Sequence, residues 1–250
     1  MNKLLNRNAL KLLFGNGKRP TESSFGSLID SMVNTVDDGI TKNATEGLVL
    51  APEDKSSSRV ISFYESFQQE YADWTFDLGS NSNSGFTIGK PAATGSDEET
   101  TVRMFFDNEG KTGIATNQPL TDFHVKGISG SDSRIGTFIL NSVAANGQWQ
   151  DVITDLTGCH AYEIVAQVGK AHAGKYALVK ATAISTFGKS KVSETQAHYG
   201  LCWNKIAIRF VGNQHGYKLQ IKTRTNYGDG QMIKFHITKI WDDTIANLIP

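Results

Sequence analysis

Apolar residues along this chain fall into short groups with two different spacings. From Thr21 onward, Phe25, Leu28, Ile29, Met32, Val33 and Val36 follow i, i+3, i+4, i+7, i+8 and i+11. That spacing predicts an amphipathic helix of about 16 residues, with Thr21 behind Pro20 as its N-cap. Upstream, Leu4, Leu5, Ala9, Leu12 and Leu13 form a shorter stripe within residues 3–13, and FGNGKRPT separates the two. Asp37, Asp38 and Gly39 close the second helix, where two acids oppose its dipole. A single helix of this length has to bury its apolar face. Three copies around a threefold axis would do so, and packing onto the chain's own sheets is the alternative.

After residue 40 the period becomes strand-like. Residues 40–58 read as one short strand and a polar linker. Further runs lie at 60–67, 73–78, 85–88 and 101–106, with GKPAATGSDEET as a solvated loop. ISGSDS after Gly127 reads as a hinge. From Arg134 on, runs recur at 135–140, 149–153, 161–168, 176–185, 203–210, 217–224 and 232–241. In one of them Tyr217, Leu219, Ile221 and Thr223 alternate with Lys218, Gln220, Lys222 and Arg224, a half-buried strand with a basic outer face. The expected fold is mainly β. Its parts are a helical attachment and trimerisation module (1–39), a short-strand β region (40–128) and an antiparallel, jelly-roll-like β-sandwich (129–250).

Residues 108–127, NEGKTGIATNQPLTDFHVKG, read as short strands joined by a Gly turn and a Pro-marked turn, with few apolar positions. Hairpins this small are marginal in water on their own and persist by packing on other copies. On Gly110, Gly113, Ile114, Thr116, Pro119, Leu120, His124, Val125 and Gly127 the stretch resembles an element of trimeric phage tail fibres and related bacterial surface fibres. Ala115 stands where that pattern has its second Gly, and Phe123 where it has Leu. GKRPTESSFGSLIDSMVN resembles an N-terminal module of phage tail fibres and contractile-tail gene clusters through Gly17, Lys18, Pro20, Thr21, Phe25, Leu28, Ile29, Asp30, Ser31 and Asn34. A third stretch resembles a C-terminal domain of contractile-injection and tail loci. It matches at Gly147, Trp149, Leu156, Gly158, His160, Ala161, Glu163, Val165, Gly169, Gly174, Lys175, Tyr176, Ala177 and Ser185.

Charge and composition narrow the classes. The formal net charge is zero, which points to neither nucleic acid nor membrane as partner. Residues 1–145 carry 13 basic and 18 acidic residues, a net of −5, and residues 146–250 carry 12 and 7, a net of +5. The C-terminal part therefore suits an acidic surface, although such a charge also serves solubility. No stretch approaches the ~20 apolar residues that span a bilayer. MNKLLNRNALKLLF lacks an apolar signal-peptide core, so the expectation is a protein made in the cytoplasm that leaves on a particle or by lysis. Cys159 and Cys202 form no disulfide framework and read as two buried thiols.

Candidate chemistry is sparse. The six histidines, His124, His160, His172, His198, His215 and His236, form neither HxH nor HExxH, and a zinc site from Cys159, His160, His198 and Cys202 would need two distant segments to meet. Asp151, Asp155 and Glu163 are the carboxylates with strand neighbours in the C-terminal part. No nucleophile or phosphate-loop motif accompanies them, so no catalytic residue, metal or cofactor is expected. His160 and Glu163, three apart on a strand, point to opposite faces. Tyr199, Trp203, Tyr217 and Tyr227, with Lys222 and Arg224, are the candidate ligand-binding residues, because aromatic rings stack on sugars and the cations suit anionic glycans.

The resemblances imply a homotrimeric short tail fibre or adhesin of a phage-like contractile particle. It would trimerise through Phe25, Leu28, Ile29, Met32, Val33 and Val36. Its partners would be its own copies, baseplate or tube proteins and a cell-surface glycan. A cargo protein carried in such a particle and a glycan-active enzyme are the alternatives.

Overall fold

A computed structural model describes the chain except residues 1–3, 36, 53–57, 67, 80–83, 92–100, 171, 173 and 250. The chain divides into two compact units, residues 1–129 and 130–250. The described residues are mainly β, in several antiparallel sheets.

In the first unit, helix α1 (Arg7–Leu13) is capped by Asn6, whose side chain accepts from the Ala9 N–H. Helix α2 (Glu22–Asp30) starts as its sequence predicts, with Thr21 and Ser24 capping each other's backbone N–H groups. It ends six residues early. The Ser31 hydroxyl donates to the Ser27 carbonyl at 2.7 Å and accepts from the Leu5 N–H at 2.9 Å, while the Asp38 carboxylate takes the Asn34 N–H at 2.7 Å. Polar side chains thus take over the backbone partners that a longer helix needs. Phe14 meets Phe25 edge-on at 5.3 Å and joins the two helices.

A hairpin follows, β1 (Ile40–Asn43) with β2 (Gly47–Leu50), where the sequence predicts a strand and a linker. Asn43 sets its turn by accepting from the N–H groups of Thr45 and Glu46. Six strands then make one sheet in chain order: β3 (Arg59–Phe63), β4 (Trp74–Leu78), β5 (Gly85–Lys90), β6 (Thr101–Asp107), β7 (Thr112–Ile114) and β8 (Phe123–Val125). The 108–127 element is not a run of hairpins. β7 and β8 lie parallel, joined through residues 115–122. Ala115 turns the chain there at φ 56°, and a side chain on Gly113 would fall 2.3 Å from the Thr116 carbonyl oxygen.

The second unit holds two sheets over one core. Five strands run β13 (Lys189–Tyr199), β12 (Lys175–Thr186), β11 (Cys159–Lys170), β16 (Met232–Trp241) and β9 (Ile139–Ala144). Three strands run β10 (Gln150–Leu156), β15 (Gly216–Thr223) and β14 (Ile206–Asn213). Alternate residues of both sheets point inward. Ile164, Ala166, Val168, Val179, Ala181, Ile206, Leu219, Ile221, Ile233 and Ile237 form one buried cluster. The sheets hold eight strands rather than seven. β13 has three apolar residues among its eleven, of which Val192 packs on the core, and is exposed along most of its length, but its backbone pairs with β12 from Tyr199 to Lys189. The sheets are five- and three-stranded, and β11, β12 and β13 form a meander, so the strand order departs from the paired four-stranded sheets of a jelly roll. Helix α3 (Asp243–Ala246) ends the chain, capped by Asp242.

Candidate functional site

Two apolar surfaces of the first unit are exposed among the described residues. On α2, Phe25 and Ile29 are exposed and Leu28 is half-buried. Met32 and Val33 are exposed but lie beyond the helix end, and Val36 lies outside the described residues. The helical stripe is therefore Phe25, Leu28 and Ile29, shorter than its sequence predicts.

The six-stranded sheet carries a larger surface, which the strand spacing alone leaves hidden. Register places Ile61, Phe76, Ile88, Met104, Ile114 and Val125 in one row across all six strands. Leu78, Phe86, Phe106 and Phe123 follow in the next, broken by Thr112, with Phe63 beside Trp74 on the other side. Phe63, Phe76, Phe86 and Phe106 form a ladder with successive centroids 5.1, 5.4 and 6.1 Å apart. Yet Phe63, Trp74, Leu78, Phe106 and Phe123 are all exposed. The opposite face buries Thr75, Asp77 and Thr87 along with Phe105. Asp77 is held there by the Arg59 guanidinium at 3.2 Å and the Thr75 hydroxyl at 2.7 Å. Polar groups inside and aromatic groups outside is the reverse of an ordinary half-buried sheet.

In the second unit the six candidate ligand-binding residues separate. Tyr217 and Tyr227 are 3% and 1% exposed and belong to the core, so neither can stack on a ligand. The Tyr217 hydroxyl donates to the Gly158 carbonyl at 3.0 Å, whereas the Tyr227 hydroxyl has no partner among the described residues. Strand alternation turns residues 217 and 219 inward, and the basic residues of the same strand outward. Tyr199 and Trp203 are exposed. Tyr199 meets Tyr176 at 6.2 Å, and both line an open depression of about 310 Å³ with Leu178 and Gln167.

Lys222 and Arg224 lie on the outer face of the three-stranded sheet, where Lys222 meets a residue that the candidate set omits. Trp149 has the Arg209 guanidinium 4.0 Å and the Lys222 ammonium 4.7 Å from its ring centroid. Arg209 Nε donates to Gln220 Oε1 at 2.9 Å, and Gln220 in turn donates to Asp151 at 2.6 Å. Lys218 adds an ion pair to Asp151 at 2.8 Å. Hydrogen bonds from Lys218 and Gln220 hold the Asp151 carboxyl below its ordinary range. The only sequence signal for this network is the alternation that puts Lys218, Gln220 and Lys222 on one side of β15.

The remaining candidates do not converge. Glu163 faces outward from the five-stranded sheet, paired with Lys180 and Arg134, which hold its carboxyl low. Asp151 faces outward from the other sheet, so the core lies between these two carboxylates. His160 points inward, stacked on Tyr162 at 5.8 Å, opposite in sense to Glu163. Burial pushes the Tyr162 hydroxyl up to about 12. Both thiols are free. Cys202 is exposed rather than buried, and Cys159 donates to Thr186 at 3.4 Å. Among the described residues no cluster of His, Cys, Asp and Glu is arranged to hold a metal. Among the described residues no helix is long and apolar enough to cross a membrane.

No protein-family model matches the chain, and no curated protein matches it in sequence. Among solved structures, the chain is similar to the tailspike protein of Acinetobacter phage vB_ApiP_P1, with 12% identity and a TM-score of 0.30. That match covers 50% of this chain and 26% of the tailspike chain.

Proposed function

We propose that this protein is a structural and binding component of a phage-like contractile particle, a short tail fibre or adhesin that works as a homotrimer. The uncovered aromatic face of the six-stranded sheet carries this reading. A monomer would hold Phe63, Trp74, Leu78, Phe106 and Phe123 in water while burying Thr75, Asp77 and Thr87. Identical copies that pack these faces together remove that cost, and the exposed stripe of α2 gives the same assembly a helical part. Sequence resemblances at 17–34, 108–127 and 147–185 supply the tail context. Asp151 and Glu163, each ion-paired and on opposite sides of a core, favour binding over hydrolysis in the second unit. Its role is to contact the target, and the helices of the first unit attach to baseplate or tube proteins. Light scattering on the purified protein is expected to give three times 27.3 kDa. A clean monomer at micromolar concentration would sink the trimer. Imaging of particles purified with and without the gene tests the tail role, and particles unchanged by its loss would remove it.

A further inference from the structure

The outer face of the three-stranded sheet collects more unpaired positive charge than its fold needs. Strand alternation puts Arg209 of β14 on this face together with Lys218 and Lys222 of β15, and continues to Lys205 and Arg224 just outside those strands. Against these five cations stand Asp151 and Asp155. Lys218 takes Asp151, and Asp155 accepts from its neighbour Thr154. The other four cations have no carboxylate partner among the described residues. Arg209 donates Nε to Gln220 and lies over the Trp149 ring, and its other guanidinium N–H groups have no hydrogen-bond partner among the described residues.

This arrangement costs stability. Lys205 and Arg224 lie directly opposite each other, as their backbone hydrogen bond at 2.8 Å shows, and like charges opposite each other on a sheet repel. Arg209 and Lys222 are diagonal neighbours that share the Trp149 ring. The ring holds these two like charges close together. A patch of mutually repelling cations is relieved by an anion that spans it.

We infer that this face binds an acidic polysaccharide, with Lys205, Arg209, Lys222 and Arg224 as the contacts to its carboxylate or sulfate groups. Charge complementarity selects a polyanion, and the form of the surface selects among polyanions. Single-stranded nucleic acid is held by free aromatic platforms, whereas Trp149 is already engaged by cations. A pleated sheet face presents no helix or ribbon for a duplex groove. A repeating anionic sugar needs neither, only cations at strand spacing along a flat face. This names a ligand for the binding role proposed above, but a single chain carries the whole surface.

The test measures binding of the full-length protein to immobilised polygalacturonate and heparin, with neutral dextran and duplex DNA as comparison ligands. Binding is expected to the two acidic glycans and not to dextran, and to fall at least tenfold between ~50 mM and ~0.5 M salt as screening shortens. Lys205→Gln/Lys222→Gln/Arg224→Gln is expected to lose binding at least tenfold while circular dichroism stays unchanged. Lys191→Gln/Lys234→Gln, on the five-stranded sheet, is expected to keep it. Lys222→Arg in the otherwise native chain is expected to keep binding within about twofold, because it keeps the cation over the Trp149 ring. Undiminished binding by a folded triple variant overturns the inference, as do equal losses in the control variant or tighter binding to DNA than to either glycan. Oligomeric state is read from the same samples. A trimer that ignores acidic glycans refutes this inference alone, and a monomer that binds them refutes the trimer alone.

Discussion

Phe123→Ser separates assembly from folding. The ring projects from β8 in the row of Phe86 and Phe106, and 64% of the residue is exposed. A Phe side chain offers roughly 200 Å², so about 130 Å² stays open in a single chain. If packing between copies covers half of that, at ~25 cal/mol per Å² the ring contributes about 1.6 kcal/mol per chain. Three chains make about 5 kcal/mol, which corresponds to a roughly 10³- to 10⁴-fold weaker trimer. The chain's own fold loses the area already covered, about 70 Å² or about 2 kcal/mol, at the edge of a sheet whose other five strands keep their pairing. The variant should therefore stay folded and fall apart. Light scattering over a dilution series, with circular dichroism on the same samples, reads both. A folded variant that stays trimeric at the dilution where wild type begins to dissociate would refute the assignment of this face to the interface.

Other expectations follow from single sites. Ala115 sits at φ 56°, a conformation that disfavours a Cβ, so Ala115→Gly should raise stability by about 0.5–1 kcal/mol in chemical denaturation. Tyr227→Phe removes a buried hydroxyl that has no partner among the described residues and should be neutral or stabilising by up to ~1 kcal/mol, whereas Tyr217→Phe strands the Gly158 carbonyl and should cost about 1 kcal/mol. Neither should change glycan binding. Burial disfavours the Asp242 anion, but Lys239, Thr244 and the Ile245 N–H outweigh it and hold the carboxyl well below its ordinary value. That stability is present above the ordinary carboxylate pKa and is lost as pH falls toward the folded value. Asp242→Asn should therefore cost about 1–2 kcal/mol at neutral pH and make the acid limb of a melting-temperature profile shallower. Residues 130–250, whose core draws on both of their own sheets, should fold alone and melt cooperatively but bind multivalent surfaces at least ~100-fold more weakly than the trimer. An insoluble fragment would mean that its core is shared between chains.

What the sequence by itself determined was periodicity. Thr21 ahead of an i, i+3, i+4 stripe marked the start of α2, because a cap and a stripe are local properties. The alternation of Tyr217, Leu219 and Ile221 with Lys218, Gln220 and Lys222 placed β15 and both its faces correctly, because side chains alternate with period two whatever lies beside the strand. That same alternation argued against stacking by Tyr217, which shares the inward side with Leu219. Tertiary structure decided everything that depends on a neighbour. β13 lacks an apolar signal and exists because β12 offers it a backbone edge to pair with. α2 stops at Asp30 because Ser31 and Asp38 take backbone partners, which an apolar stripe running on to Val36 does not reveal. The order of β3 to β8 aligned Phe63, Phe76, Phe86 and Phe106, each unremarkable alone, into a continuous exposed surface. Trp149 met Arg209 and Lys222 only because β10, β15 and β14 lie side by side. A strand's own residues set its spacing and its two faces, but which face is covered, and by what, is set by pairings between segments far apart in the chain.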